Sequence, residues 1–162
     1  MNQVTEKQIF TIGHGNRNIE KFISLINQYQ IEVVVDVRTL PYSRFHSQFR
    51  QANLKASLEN ARIKYVFLGN ELGGRPTNPE LYEQGELSYS RIKETELYKS
   101  GIQKVLDLVN QNIKVTLMCS ESNPNECHRK HLIEDDLIKL GIKVFHIDKV
   151  GSIENCNPQL FA

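Results

Sequence analysis

Short runs of apolar and β-branched residues recur along the chain and alternate with stretches of helical periodicity. The runs are continuous and not alternating, which is typical of strands covered on both faces of a sheet. They predict five strands, at residues 9–12, 33–37, 65–68, 115–118 and 144–147. Between them, apolar residues spaced by three and four positions predict helices, at residues 19–26, 54–61, 98–109 and 133–140. Asn18 is expected to cap the first helix and Gly141 to end the last.

Strands that alternate with helices predict an α/β fold with a parallel sheet and right-handed connections. We therefore expect a single Rossmann-like domain over residues 1–162, with a mostly parallel five-stranded sheet flanked by helices and a core at about residues 9–148. Residues 69–91 are polar and show no sustained period, so they predict a long loop over the site. Residues 150–162 are expected to form a loosely ordered tail.

Charge and cysteine content narrow the class of protein. The net charge of +1 gives no global field that would attract nucleic acid or a membrane. Residues 38–64, however, hold six Lys or Arg and a single acid, Glu59. No run approaches the roughly 18 apolar residues of a membrane span. Three cysteines without a secretion signal indicate reduced thiols and a cytoplasmic protein with no membrane partner.

Ligands of open parallel sheets bind beyond the carboxyl ends of the strands, and the unusual residues of this chain follow those ends. They are Gly13 and His14 after the first strand, Asp36 and Arg38 after the second, Glu71 after the third, Cys119 and Glu121 after the fourth, and Asp148 after the fifth. Their convergence predicts a functional site at this rim of the sheet. Asp36, Glu71 and Glu121 are candidate general bases or ribose-hydroxyl contacts. Alternatively, Asp36 forms a salt bridge with Arg38 or Arg129 and holds it in place.

The first turn, GHGNRN at residues 13–18, resembles a dinucleotide-binding fingerprint, with Asp36 at about the right distance downstream. Asn18 stands where the third glycine is needed and is better explained as a helix cap, so an NAD or FAD site is not expected. Backbone N–H groups of such a turn still bind anions, which makes Gly13 a candidate phosphate contact. A tight turn without a ligand is the alternative.

The densest group of reactive side chains is LMCSESNPNECHRKH, residues 117–131. Its middle, NPNE at residues 123–126, predicts a helix start. Cys127, His128 and Arg129 then fall in the electropositive first turns of that helix. An anion is favoured at such a place, so Arg129 is a candidate phosphate ligand.

Two hypotheses use the cysteines of this stretch. In the first, Cys119 or Cys127 is a nucleophile, and His14 or His128 supplies the activating imidazole. In the second, a metal or thiol-redox centre is built on Cys119, Cys127 and nearby histidines, although C-x7-C-H is not a recognised zinc spacing. No tightly bound cofactor is expected, and a zinc ion belongs to the second hypothesis alone. If neither hypothesis holds, both cysteines are small core residues.

Aromatic and basic residues interleave in RTLPYSRFHSQFR, residues 38–50. Basic groups hold phosphates while aromatic faces stack on bases, so this composition is typical of a nucleotide or single-strand contact. Arg38, Ser43 and Arg44 are the candidate ligand-binding residues. The alternative is a surface loop whose aromatic side chains pack under a neighbouring helix, as we expect of Phe49.

The motifs GH at 13–14, DVR at 36–38, P-x-S-R at 41–44, LGG at 72–74, C-x-E at 119–121 and CHR at 127–129 resemble the domain of unknown function 488 family. The resemblance runs from about residue 9 to residue 147. It departs at Gly15, where the family commonly has serine, and at Ser120, where alanine is frequent. It implies a compact Rossmann-like α/β domain and no particular activity. It marks as signature positions His14, Asp36, Arg38, Arg44, Cys119, Glu121, Cys127, His128 and Arg129.

The leading hypothesis is a cytoplasmic enzyme, a hydrolase or transferase, that acts on a phosphate-bearing ligand such as a nucleotide or a nucleic-acid end. Its candidate catalytic residues are His14, Asp36, Cys119, Glu121, Cys127 and His128, and its candidate phosphate-binding residues are Gly13, Arg38, Ser43, Arg44 and Arg129. The alternatives are the metal or thiol-redox centre and a non-catalytic module that binds nucleic acid through residues 38–50.

Overall fold

The computed structural model describes residues 6–121 and 129–155, in which helices flank a six-stranded sheet. The strands of this sheet are β1 (Gln8–Gly13), β2 (Val33–Asp36), β3 (Lys64–Phe67), β6 (Val115–Cys119), β7 (Lys143–Ile147) and β8 (Ile153–Asn155), and a separate hairpin consists of β4 (Tyr82–Glu83) and β5 (Glu86–Leu87). The helices are α1 (Ile19–Gln28), α2 (Gln51–Asn60), α3 (Gly69–Leu72), α4 (Tyr89–Glu94), α5 (Glu96–Asn110) and α6 (Asp135–Lys139), and a π-helical segment, Arg129–Glu134, leads into α6.

The main sheet has the strand order β3-β2-β6-β1-β7-β8. The first five strands pair in parallel: β1 lies between β6 and β7, and β2 lies between β3 and β6. The predicted α/β fold with a five-stranded parallel sheet is confirmed, and the five strands lie where the apolar runs placed them. β8 adds an antiparallel edge strand beside β7. The sequence did not predict it, because three residues are too few to show a period.

Helices cover both faces of the sheet, and each face has its own apolar cluster. On one face, α1 and α2 pack on alternate strand residues, among them Ile12 and Met118. On the other face, α3, α5 and α6 pack on the intervening residues, among them Leu117 and Cys119. Successive strand residues point to opposite faces. The position of a residue in its strand therefore fixes the side of the sheet on which its side chain lies.

Residues 69–91, predicted as a long loop, contain α3, a 3₁₀ turn at Pro79–Leu81, the β4–β5 hairpin and the start of α4. The guanidinium of Arg91 joins two of these elements, because it donates to Glu80 O at 3.0 Å and forms an ion pair with Glu83 at 2.7 Å. Elements this short show no apolar period, which is why the sequence pattern indicated a loop.

Two helix ends follow the sequence prediction, and the helix start predicted at residues 123–126 lies outside the described residues. Asn18 caps α1 by accepting a hydrogen bond from Lys21 N at 2.8 Å. Gly141 follows α6 with φ of +83°, the left-handed conformation that favours glycine after a helix. The predicted tail begins with a turn and β8, and residues 156–162 lie outside the described part. None of the described helices combines the length and the apolarity needed to cross a bilayer.

Candidate functional site

The turn after β1 is joined to the loop after β6. His14 N donates to Cys119 O at 2.9 Å, and Gly15 N donates to Ser120 O at 3.1 Å. Gly15 has φ of +55°, which glycine adopts without strain. Gly13 is buried in this junction. The backbone N–H groups of His14 and Gly15, which belong to the turn expected to bind an anion, therefore already donate to carbonyl groups of the protein.

Asp36 ends β2, is fully buried, and forms an ion pair with Arg38. Arg38 Nε donates to Asp36 Oδ1 at 2.9 Å and Arg38 Nη2 donates to Oδ2 at 2.8 Å, while the Arg38 amide donates to Oδ1 at 3.1 Å. Arg38 is itself 5% exposed. The two bonds from Nε and Nη2 hold the guanidinium in one orientation, and removing either partner of such a buried pair costs about 3–5 kcal/mol. The salt bridge to Arg38, one of the roles predicted for Asp36, is present.

Tyr65 on β3 provides a fourth hydrogen bond to Asp36. Its hydroxyl donates to Asp36 Oδ2 at 2.7 Å. Burial, followed by the nearby carboxylate, raises the pKa of Tyr65 well above its usual value. Each oxygen of Asp36 thus accepts two hydrogen bonds, which fills the lone-pair positions of a carboxylate. A role of Asp36 as general base would require one of these bonds to break, so the geometry favours a positioning role.

The imidazole of His14 is held in one tautomer. It is 3% exposed and stacks on Phe49, with ring centroids 4.3 Å and ring planes 15° apart. Its Nδ1 lies 2.8 Å from the carbonyl oxygen of Gly15. A carbonyl only accepts, so Nδ1 carries the proton and Nε2 carries the lone pair of the neutral ring. Burial, with a smaller effect from the charge of Arg38, lowers the pKa of His14 from 6.5 to about 4 against the opposing bond to Gly15.

Two buried nitrogen atoms at this place, His14 Nε2 and Arg38 Nη1, have no hydrogen-bond partner among the described residues. Buried polar atoms are nearly always paired, so unpaired ones suggest a place for a ligand. The charges of Arg38 and Asp36 both affect the pKa of His14, and Arg38 is bonded to Asp36, so we group the three side chains together. We call His14, Asp36, Arg38, Phe49 and Tyr65 the rim cluster. It offers a fixed N–H donor on Arg38 and a fixed lone pair on His14.

Cys119 packs on the opposite face of the sheet from the rim cluster. Its side chain belongs to the apolar cluster beneath α5, whereas Phe49, on which His14 stacks, belongs to the cluster beneath α1 and α2. The Cys119 thiol lies 3.5 Å from the carbonyl oxygen of Glu121, whose side chain is exposed. His14 is therefore not placed to activate Cys119. The catalytic roles of Cys119 and Glu121 stay predictions.

Glu71 on α3 also has a buried atom, Oε2, without a partner in the described part of the chain. Its Cβ is packed so closely on Gly101 of α5 that a methyl group on that glycine would lie 2.6 Å away. Glu71 therefore lies on the α5 side of the sheet and is not a member of the rim cluster.

The segment at residues 38–50 brings one of its three candidate ligands, Arg38, into the rim cluster. Ser43 Oγ accepts a hydrogen bond from His46 N at 3.1 Å and thereby stabilises a turn. Arg44 is exposed, and its guanidinium lies 5.4 Å from the centre of the Phe45 ring. Ser43 and Arg44 thus lie outside the rim cluster, and their contact with a ligand stays a prediction.

Cys127 and His128 lie outside the described residues, and Arg129 is described only by its backbone, as the first residue of the π-helical segment. Among the side chains that the structure describes, no group of three or more His, Cys, Asp or Glu is placed to hold a metal ion. The metal alternative and the roles of these three residues stay predictions.

The sequence did not predict that Tyr65 takes part in the site. A tyrosine within an apolar strand signals a buried hydroxyl that needs a partner. Which partner it finds depends on the pairing of β2 with β3, in which Val34 stands opposite Tyr65 and Asp36 stands opposite Phe67. Pairing across strands is not visible in the pattern of a single strand.

Comparison with known protein families supports the resemblance carried by the sequence motifs. The family model described as "Domain of unknown function DUF488" matches residues 18–135, which is more than half of the chain. The matched range includes DVR at 36–38 and CHR at 127–129, and the GH pair at 13–14 lies before it. No curated protein and no solved structure matches the chain.

Proposed function

The chain belongs to the family described as domain of unknown function DUF488, and we propose that it is an enzyme that acts on a phosphate-bearing ligand, of nucleotide type, at the rim cluster. A cytoplasmic location is part of this proposal, because three cysteines suit a reducing compartment.

The observation that carries the proposal is the pair of unpartnered nitrogen atoms, Arg38 Nη1 and His14 Nε2, in the described part of the chain. A guanidinium N–H is a strong donor to a phosphate oxygen. Asp36 fixes the guanidinium through Nε and Nη2, so the remaining nitrogen is oriented before a ligand arrives. Arg38 is thus the proposed phosphate-binding residue of the cluster.

His14 is the proposed acid–base residue. Its pKa of about 4 keeps the ring neutral near pH 7, and its Nδ1 proton is committed to Gly15 O. A bound phosphate places negative charge beside the ring and raises this low pKa, so that Nε2 can accept a proton from a water molecule or from a hydroxyl group of an acceptor. The oxygen of that water attacks the phosphorus of the ligand and displaces the leaving oxygen, which is hydrolysis, whereas attack by the acceptor oxygen transfers the phosphoryl group to the acceptor. In both cases the leaving oxygen takes the proton that His14 Nε2 accepted. Both reaction classes remain part of the proposal.

The residues that follow β6 extend the proposal without structural support of their own. Arg129, two residues after Cys127 in the CHR motif, is proposed as a second phosphate ligand because helix starts favour anions. His128 is the proposed alternative to His14 as the acid–base residue. Both assignments rest on the sequence alone.

Calorimetric titration with matched pairs of a nucleoside and its 5′-monophosphate tests the proposal. We expect the monophosphate to bind at least about 10-fold more tightly than the nucleoside, because a hydrogen bond to a charged group contributes about 1.5–3 kcal/mol. Equal affinities would show that phosphate is not recognised. For any nucleotide that is turned over, His14→Gln should lower kcat by about 100-fold or more with little change in affinity.

A further inference from the structure

Aromatic side chains near the rim cluster are presented to solvent. Phe45 is 81% exposed, Leu40 72% and Tyr42 53%. Each of the two rings carries a guanidinium group: that of Arg44 lies 5.4 Å from the centre of the Phe45 ring, and that of Arg50 lies 4.6 Å from the centre of the Tyr42 ring. We call Tyr42, Arg44, Phe45 and Arg50 the aromatic platform. Large apolar side chains exposed together typically mark a binding surface.

The aromatic platform is held in place by the backbone of its own segment. Arg50 Nε donates to Ser43 O at 3.1 Å, and Gln51 N donates to Pro41 O at 2.9 Å. Phe49, near the end of the segment, is fully buried. Surfaces that are already ordered lose less entropy when a partner binds, so this arrangement suits recognition.

The charge of the segment selects an anionic partner. The aromatic platform carries the positive charges of Arg44 and Arg50, and residues 38–50 contain no Asp or Glu. A surface of one sign attracts a partner of the opposite sign. Exposed rings beside guanidinium groups stack on unpaired bases, which a single strand offers and a duplex hides. An acidic peptide matches the charge but brings no row of flat rings to stack on Phe45 and Tyr42.

We infer that the phosphate-bearing ligand of the rim cluster is the end of a single-stranded nucleic acid, with its terminal phosphate on Arg38 and its next bases on Phe45 and Tyr42. This inference rests on the proposed function. Phe45 lies four positions before Phe49 of the rim cluster, so their Cα atoms are at most about 14 Å apart. A few nucleotides span that distance, so one strand can contact both the rim cluster and the aromatic platform.

Isothermal titration calorimetry tests this inference with a 5′-phosphorylated single strand of about six nucleotides and with a nucleoside 5′-monophosphate. We expect Phe45→Ala to weaken binding of the strand about 5- to 100-fold and to leave binding of the monophosphate unchanged. Phe45→Leu keeps an apolar side chain but lacks the flat ring, so it should behave like Phe45→Ala. Leu97→Ala, at a residue 53% exposed on α5, is the matched control and should change neither affinity.

The outcomes separate this inference from the proposed function. If Phe45→Ala binds the strand as tightly as the wild type while the monophosphate still binds, the inference fails and the proposed function stands. If neither probe binds the wild type, both fail. A duplex that binds as tightly as the single strand, or polyglutamate that binds with the same dependence on Phe45, also overturns the inference. Selective loss of single-strand binding in Phe45→Ala supports it.

Discussion

Arg38 Nη2 lies 2.8 Å from Asp36 Oδ2 in an ion pair between residues two positions apart, and both side chains are almost fully buried. The end of β2 thus supplies both the charge and the carboxylate that orients it. A donor that is fixed in this way binds an anion without first having to order a long side chain. The same pair also neutralises Arg38 in the absence of a ligand, which makes its burial tolerable.

Arg38→Lys is the sharpest test of the phosphate site. Lysine keeps a positive charge beside Asp36 but lacks the planar fork of donors. We expect affinity for a nucleoside monophosphate to fall about 10- to 100-fold, because a hydrogen bond to a charged group is lost. Isothermal titration calorimetry measures the change, with Arg62→Lys at an exposed position as the control. If Arg38→Lys binds the nucleoside monophosphate as tightly as the wild type does, the guanidinium of Arg38 does not bind the phosphate.

Tyr65→Phe removes the hydroxyl that donates to Asp36 Oδ2. We expect the free energy of unfolding to fall by about 1–3 kcal/mol, because a buried carboxylate oxygen loses a donor. Urea denaturation measures this loss. Tyr42→Phe makes the same chemical change at a residue 53% exposed and should alter stability by no more than about 0.5 kcal/mol. Equal effects of the two variants would show that Tyr65 does not support Asp36.

The buried neutral imidazole of His14 makes stability depend on pH. Its pKa is about 4 in the folded chain and 6.5 without the protein environment, so the unfolded chain binds more protons between these values. The contribution of neutral His14 to the free energy of unfolding is fully present above pH 6.5 and is lost as the pH falls towards 4. The total loss is about 3 kcal/mol.

Urea denaturation of wild type and His14→Gln at about pH 7.5 and pH 5 isolates this contribution. Between the higher and the lower pH, we expect the free energy of unfolding of the wild type to fall by about 2 kcal/mol more than that of the variant, because glutamine does not titrate. The same pH dependence in both proteins would contradict a buried neutral His14. Other titrating groups affect both proteins alike and cancel in the comparison.

Gly69 at the start of α3 faces the backbone of Arg38, since an added Cβ would lie 2.0 Å from Arg38 O. Gly69→Ala should lower the free energy of unfolding by about 3 kcal/mol and, by displacing Arg38, weaken binding of a nucleoside monophosphate. Gly85 has φ of +81° and open space around its Cβ position. Gly85→Ala should cost about 1–2 kcal/mol and leave that affinity unchanged. If both variants bind the nucleotide with the same affinity, the packing of Gly69 on Arg38 does not affect the binding site.

The features that the sequence predicted correctly are those that depend on residues close together in the chain. The parallel strands, the cap at Asn18 and the turn at Gly141 follow from periods and caps that span a few positions. The ion pair between Asp36 and Arg38 was one of the predicted roles of Asp36, and it too is local.

What the sequence did not predict depends on pairing between distant segments. Tyr65 reaches Asp36 from 29 positions away, and this contact exists only because β3 is the neighbour of β2. The separation of Cys119 from His14 has the same origin. Cys119 shares the strand alternation of Val115 and Leu117, which places its thiol on the face opposite Phe49. A sequence shows which residues of one strand share a face of the sheet. It does not show on which face a residue from a distant segment packs.

The position of β6 between β1 and β2 has a consequence for the order in which the protein acquires its binding surface. His14 and Arg38 are close in the sequence, but the strands that carry them are joined through a strand that begins at Val115. The site therefore depends on a long-range strand pairing, and pairings of this kind tend to slow folding. A nascent chain that ends before β6 therefore has both residues and no site. The proposed ligand of the rim cluster would bind only the completed sheet, so it would stabilise the finished protein and not the growing chain.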